Sequence, residues 1–522
     1  SYCGRYVMVF NGEIYNYKDI RHKLQNQFEG LTWRGNSDTE VLLTSFSLLG
    51  LKKTLQNIRG MFSLAIWDKL KKCIYLARDR IGEKPLYYGE NKDVFFFSSE
   101  LKALKSAGEW NFEIDPKSLS LQLRYGYIPS PYSIYKDIYK LEPGEYLKVN
   151  LNRSYKTPKK WWDFKKVVFK AKSVKKINSF DESVKSLDRL LHETISEQMY
   201  SDVPLGALLS GGIDSSLIVS IMQSINPGLT KTFSLGFSEK NYDESFYSRD
   251  IASYLKTDHR EIILKPNDAL EIIPNLAKIY DEPFGDSSQI PTTMICNLAR
   301  KHITVALTGD AGDEIFSGYN RYFWVNKIWD TFGKVPISFR SIAGKSVSNI
   351  SSDKWDKFFY FLKKYLFIKF SLSNPGEKVH KLAEIIDAKS REEIYLKLVS
   401  QFKHQLPLKN SNIEPTVLQK KPNDWPSYLN FSEKMMFVDT LTYLPEDILT
   451  KIDRASMSVG LETRLPFLDP RLIEFAWKLP IHYKLEGTEG KKILKSLLKK
   501  YIPSQMIDRP KQGFSLPINK WL

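Results

Sequence analysis

Two short strings combine residue types in an order suited to phosphate and carboxylate chemistry. The first, LLSGGIDSS, runs from Leu208 to Ser216. Gly211 and Gly212 allow a phosphate to approach the backbone closely, and Ser210, Ser215 and Ser216 add hydroxyl donors. An apolar run precedes the string and a helical run, Leu217 to Met222, follows it, so its amides are expected at a helix N-terminus, a ready anion site. Asp214 is the odd member. A carboxylate beside a phosphate is repulsive unless a cation lies between them, so Asp214 is expected to be a Mg2+ ligand. Without the Gly-Lys-Ser/Thr ending of a Walker loop, amides and hydroxyls must hold the phosphates. A plain turn with Asp214 as a helix-start residue is the structural alternative, and the strand-loop-helix setting weighs against it. The second string, LTGDAGDEIFSGYNRY, begins at Leu307. Asp310, Asp313 and Glu314 could share one concave site only with a cation or a positively charged partner. Asp313 is expected to be the second metal ligand.

Both strings need a sheet to hold them. From Asp181 the chain reads as an amphipathic helix, with Val184, Leu187, Leu190, Leu191, Ile195 and Met199 spaced three or four apart. Strands and helices then alternate: Pro204 to Leu209 and Ser215 to Met222; Lys231 to Phe237 and Glu244 to Leu255; Glu261 to Leu264 and Leu270 to Ile279; then Thr304 to Leu307. This alternation predicts parallel βαβ units in an open α/β sheet with ligands at the carboxyl ends of its strands. Beyond about residue 320 the chain reads mostly helical. The first 150 residues differ, with short strands at Tyr6 to Phe10, Phe62 to Trp67, Ile74 to Ala77 and Val94 to Phe97, and a helix at Asp38 to Leu49. The expected fold class is therefore α/β and α+β, in three stretches: 1–165 sheet-rich, 166–180 a basic linker and 181–522 the nucleotide-binding part.

With 522 residues, 42% of them hydrophobic and 26% charged, the chain is long enough for several domains and is neither disordered nor collagen-like. No apolar stretch is long enough for a membrane helix, and Cys3, Cys73 and Cys296 are scattered without metal-ligand spacing, which suits a reducing cytoplasm. The net charge of +17 would attract polyanions. Nine lysines between Lys156 and Lys176, and further clusters at Lys363 to Lys369 and Lys491 to Lys500, read as solvated faces. With no RNA-binding signature, no nucleic-acid partner is expected.

SGGIDS resembles the PP-loop of ATP pyrophosphatases. Together with NGEIYN at Asn11 to Asn16, DRIGEKPLYY at Asp79 to Tyr88, FSSELKAL at Phe97 to Leu104, DEPFGDSS at Asp281 to Ser288, GDAGDE at Gly309 to Glu314, GLETRLPFLD at Gly460 to Asp469 and RPKQGF at Arg509 to Phe514, the chain resembles the bacterial B type of glutamine-dependent asparagine synthetase over nearly its whole length. The resemblance implies a class II glutaminase of the N-terminal-nucleophile αββα kind joined to a PP-loop synthetase domain with a helical C-terminal part. It also implies small-molecule substrates, namely aspartate, ATP and glutamine or free ammonia, with Mg2+ as cofactor. It allows a homodimer and involves no membrane. The implied reaction makes asparagine, AMP and pyrophosphate through β-aspartyl-AMP. A β-lactam synthetase or peptide-cyclising homologue acting on another carboxylate is the alternative, and the retained NGEIYN argues against it.

By the same resemblance, Asn11 and Gly12 match the glutaminase oxyanion hole, Glu13 lies in that substrate motif, and Asp38 matches the residue that holds the glutamine amino group. Ser210, Gly211, Gly212, Asp214 and Ser215 match the pyrophosphate loop. Leu209 and Leu235 match positions lining the adenine pocket, and Thr308 and Gly309 belong to the ATP site. Asp310, often Glu in the family, and Asp447 match acidic positions close to the acceptor. Lys511 matches a lysine suited to stabilising charge on the α-phosphate. The sequence also departs from the family pattern. NGE begins at residue 11, too early for the family's terminal Cys nucleophile to lie at its usual distance, and Cys3 reads as a strand-edge residue. The expectation is that both ends belong to a longer chain; were the chain complete as given, it would be expected to release no glutamate from glutamine, while synthesis from free ammonia could survive.

Overall fold

The computed structural model describes every residue except 92–93, 109–111, 151–156, 175–178, 229, 240–242, 244, 366–374, 404–405, 409–413 and 509–522, with backbone alone at 362–365. The first part is a two-sheet sandwich. One sheet has the order β1 (Tyr6–Ile14), β2 (Gly60–Asp68), β3 (Cys73–Arg78), β7 (Glu145–Asn150), β8 (Lys159–Lys160), and the other has the order β5 (Val94–Ser98), β4 (Tyr87–Asn91), β6 (Ile138–Lys140). All their pairings are antiparallel. Ala65, Leu76, Leu86, Tyr88, Leu147 and Val149 pack together between the sheets. Ile14, Leu64 and Ile66 pack instead against α1 (Tyr17–Gln27) and α2 (Asp38–Leu49), through Ile20, Leu24, Val41 and Leu42. Strand β2 is covered on both faces, which is why it reads as a continuous apolar run rather than an alternating one. The helix expected from Asp38 to Leu49 forms over that range, with the Ser37 hydroxyl accepting from the Glu40 amide.

The second part is built on a five-stranded parallel sheet of order β11 (Asp258–Leu264), β10 (Lys231–Phe237), β9 (Leu205–Leu208), β12 (Val305–Leu307), β13 (Glu462–Arg464). Helix α7 (Phe180–Gln198) enters through a capping box made by Ser179 and Glu182. Helices from Arg321–Phe332 to Lys492–Leu498 form the expected helical remainder. One expected helix is broken. Leu270 to Ile279 splits into Pro266–Ile272, a 3-10 turn Ile273–Asn275 and Leu276–Tyr280, because Pro274 lacks the amide that a continuous helix requires.

Helix α6 (Phe164–Lys172) runs into the stretch 166–180 that was expected as a basic linker. Its Phe164 stacks on Phe437 at 5.4 Å and meets Trp477 edge-on at 5.6 Å, while Val168 and Ala171 are buried in the same core. Lys165, Lys166 and Lys170 are exposed and obscure this apolar stripe in the composition, whereas Lys172 turns inward to Glu433. No helix among the described residues is long and apolar enough to cross a membrane. Replacing Phe164 with Ala should cost about 3–5 kcal/mol, read as a lower denaturation midpoint of the second part, because it empties a space bounded by two aromatic rings.

Candidate active site

Asn11, Gly12 and Glu13 lie near the end of β1, where Asp38 meets the strand. Gly12 sits opposite Phe62 across the β1–β2 ladder, where a Cβ would fall 2.0 Å from the Met61 carbonyl oxygen, so only glycine fits. The Asn11 amide donates to Ser99 Oγ at 3.1 Å, which holds its side chain toward the FSSE segment. Asp38, at the first position of α2, accepts from the Ile14 amide at 2.9 Å and from the Thr39 hydroxyl at 3.1 Å. Burial, followed by the neighbouring Asp38 charge, pushes the Glu13 carboxyl up to about 7.

The SGGIDS loop leaves β9 and starts helix α8 (Ile213–Ile225) with Gly212 at its N-cap. No side chain caps that end, so its first amides are available to an anion. The loop is braced by Ser210, whose amide donates to Ser215 Oγ at 3.2 Å and whose own Oγ lies 3.0 Å from Ser215 Oγ. The GDAGDE loop, leaving the adjacent strand β12, is pressed against it. A Cβ on Gly309 would lie 2.6 Å from the Ser215 amide nitrogen. Asp310 is held by the Thr308 hydroxyl at 2.8 Å. Burial raises its pKa, and Lys451 opposes that shift. Leu209 and Leu235 are both buried, beside the loop and in the neighbouring strand.

The positive partner that the acidic loop requires is Lys491. Its ammonium pairs with Asp214 and lies 2.5 Å from Asp313 Oδ1, joining the two loops. Burial alone would weaken this charge, but the two carboxylates raise the lysine pKa above its ordinary value. The Lys491 to Lys500 cluster was expected to be a solvated face. Lys491 departs from that expectation, being 5% exposed and held in the left-handed region at φ 57°. Its neighbours in the cluster hide it, and the preceding Gly490 is the one local sign of an unusual backbone. A second lysine missed in the sequence, Lys451, donates to Asp286 at 2.7 Å and Ser288 Oγ at 2.8 Å. Asp447, four residues before it, is buried, and burial with the nearby Asp286 holds its carboxyl well above the usual range. Beside these residues opens a cavity of about 370 Å³ whose walls include Tyr127, Asp286, Arg321, Tyr443 and Asp447. Lys511 lies outside the described residues. No cluster of three or more His, Cys, Asp or Glu suited to a metal occurs among the described residues.

Arg464 links the two halves. Its guanidinium lies 3.7 Å from Glu13 and 2.7 Å from Glu462, and donates to the carbonyls of Gln198 and Tyr200 at 2.8 and 2.7 Å. Its own carbonyl accepts from the Thr308 amide at 3.0 Å, at the base of the acidic loop.

An αββα sandwich of amidotransferase type joined to a parallel α/β domain carrying a PP-loop defines the class of glutamine-amidotransferase-linked ligases. Residues 186–522 match the asparagine synthase family and residues 1–162 the glutamine amidotransferase domain family. The chain belongs to the asparagine synthase family. It is 32% identical to asparagine synthetase (glutamine-hydrolyzing) 1 of Bacillus subtilis, over 99% of this chain and 77% of that protein. It is 34% identical to a putative asparagine synthetase (glutamine-hydrolyzing) 2 of Methanocaldococcus jannaschii, over 91% and 83%. The amidase chry2 of Gibberella zeae is more distant, at 23% over 98% and 77%.

Glu13, Glu145 and Glu314 are each raised to about 7, first by burial, against an ordinary value of 4.5. Between these values the native chain keeps protons that the unfolded chain has lost, so stability should fall as pH rises from about 5 to 7. Thermal melts across that range should show the fall. Glu314→Gln should flatten it by up to about 1.4 kcal/mol per pH unit, the worth of one proton.

Proposed function

We propose that this chain makes asparagine from aspartate, ATP and ammonia through β-aspartyl-AMP. The observation that carries the proposal is the Lys491 ammonium between Asp214 of the phosphate loop and Asp313 of the acidic loop, at an uncapped helix N-terminus. In this reading 1–165 is the glutaminase part, 166–180 the connecting segment and 181–522 the synthetase part.

The β-carboxylate of aspartate attacks the α-phosphorus of ATP, and the bond to the bridging oxygen breaks to release pyrophosphate. The α8 amides and the hydroxyls of Ser210 and Ser215 hold that leaving group, while Leu209, Leu235, Thr308 and Gly309 border the nucleotide. Lys491 balances charge that builds on the phosphates, and Lys511 is proposed to act at the α-phosphate. Asp310 and Asp447 face the acceptor side. The ammonia lone pair then attacks the acyl carbon, AMP leaves and one proton is lost. Ammonia reaches the acyl carbon uncharged because ammonium has no lone pair. When glutamine is the donor, Asn11 and Gly12 meet the tetrahedral oxyanion, and Asp38, with Glu13 beside it, receives the amino group.

Asp214 and Asp313 converge closely enough to share one ammonium, and their hard carboxylate oxygens would be the ones to hold Mg2+. Bound there, Mg2+ would neutralise phosphate charge.

Product analysis with ATP, Mg2+, aspartate and ammonium chloride should give AMP and pyrophosphate in step with asparagine. ADP and orthophosphate would refute the reading. Asp214→Ala should abolish pyrophosphate release while the far-UV spectrum is kept. Lys491→Ala and Lys511→Ala should each lower turnover about 10²-fold or more, by analogy with loss of one transition-state donor.

A further inference from the structure

Two successive helices of the second part, Ile337–Ser348 and Ser352–Tyr365, each turn one face inward. On the first, Arg340 is buried and donates to the Ile386 and Ala388 carbonyls, and a Cβ on Gly344 would lie 2.9 Å from the Ala383 carbonyl oxygen. On the second, the Trp355 indole donates to the Val347 carbonyl at 3.2 Å, and Asp356 accepts from the Gly376 amide at 2.8 Å. The faces left outside are apolar too. Phe339 and Ile342, three residues apart, are 66% and 64% exposed, and Tyr360 is 69% exposed, with Val335, Ile337 and Phe358 also open to solvent. Large apolar side chains left in water are costly, and a surface without a partner normally scatters them singly.

The charge beside them has one sign. Lys334, Lys345, Lys354 and Lys357 are exposed, and among the described residues none of the four forms an ion pair. On neighbouring helices, by contrast, Lys381 pairs with Glu377 at 2.7 Å and Lys397 with Asp387 at 2.5 Å. Between Lys334 and Lys369 the sequence holds seven lysines and one arginine against two aspartates, Asp353 and Asp356. Lys354, Lys357 and Phe358 recur at helical spacing, so ammonium and aromatic groups share one face. This mixture suits one kind of partner. An anionic lipid surface takes aromatic and branched aliphatic groups into its interface while its headgroups answer the lysines. A second copy would set the same four lysines against each other in a two-fold contact. A nucleic acid would answer the lysines, but Ile337 and Ile342 have no flat face to stack on a base.

We propose that the exposed faces of helices Ile337–Ser348 and Ser352–Tyr365 dock on an anionic phospholipid bilayer, the apolar side chains entering the interface and the lysines meeting headgroup phosphates. This departs from the expectation that no membrane is involved, and it needs no spanning helix. The docking is independent of the reaction proposed above, and its tests use neither ATP nor asparagine.

Co-sedimentation of the full chain with vesicles of phosphatidylcholine alone, or of phosphatidylcholine and phosphatidylglycerol in equal parts, tests the surface. At about 0.1 M salt the chain should pellet with the anionic vesicles and stay in solution with the neutral ones. Phe339→Ser combined with Ile342→Ser, and separately Lys354→Glu combined with Lys357→Glu, should each lower the vesicle partition coefficient about tenfold. No binding to the anionic vesicles would overturn the proposal. Undiminished binding by the serine variant would assign the attachment to the overall charge of +17 and would overturn it as well. So would a dimer of the unaltered chain, seen in gel filtration, that the serine variant converts to monomer, because a second copy would then be the occupant. Hydrogen exchange of the unaltered chain gives a reading that depends on no variant. Anionic vesicles should slow exchange within 337–361, and unchanged exchange there refutes the docking face.

Discussion

A buried ammonium between two carboxylates organises the synthetase half. Lys491 is carried by the segment before the helix Lys492–Leu498, whereas Asp214 and Asp313 stand in the first turns of helices that follow neighbouring parallel strands. Removing the lysine would leave two carboxylates facing each other without a counter-charge, and breaking a buried ion pair in this way costs about 3–5 kcal/mol. That penalty gives the acidic loop, the phosphate loop and the late helix one shared geometry. The same three groups stand beside the N-terminus of α8, which no side chain caps.

The boundary between the two parts follows the same physics. Lys84 meets Asp453 at 3.0 Å, Lys140 lies between Glu282 at 3.0 Å and Glu446 at 3.2 Å, and Arg454 reaches Glu100 at 3.1 Å. Lys84, Lys140, Glu446, Asp453 and Arg454 are all buried. An apolar seam could slide, but paired buried charges have one low-energy register, because any displacement leaves an ion unmatched in a low dielectric. Arg464 extends this register to both sites, touching Glu13 through its side chain and Thr308 through its carbonyl. One residue, Arg464, therefore contacts both the NGEIYN strand and the base of the acidic loop.

Much of the fold was legible in the residues. The strand Lys231 to Phe237 and the helix Asp38 to Leu49 form where period and composition put them, because each buries one regular apolar face. The strand-loop-helix reading of SGGIDS also matches the observed local structure. Failures arose where local pattern and tertiary demand diverge. Pro274 breaks a helix whose apolar spacing was continuous, and α6 hides a core face under lysines. Lys491 looks like its solvated neighbours, and only contacts made more than 170 residues away in sequence distinguish it.

The amino-acid sequence by itself determined the two-part plan, the parallel sheet and the phosphate loop, because each depends on short-range periodicity or on glycine and hydroxyl spacing within a few residues. Which cation answers Asp214 and Asp313, which arginine reaches Glu13, and which lysines are left without a carboxylate were decided by tertiary structure alone. Charge pairing acts through space, and its sign is written in the sequence while its distance is not.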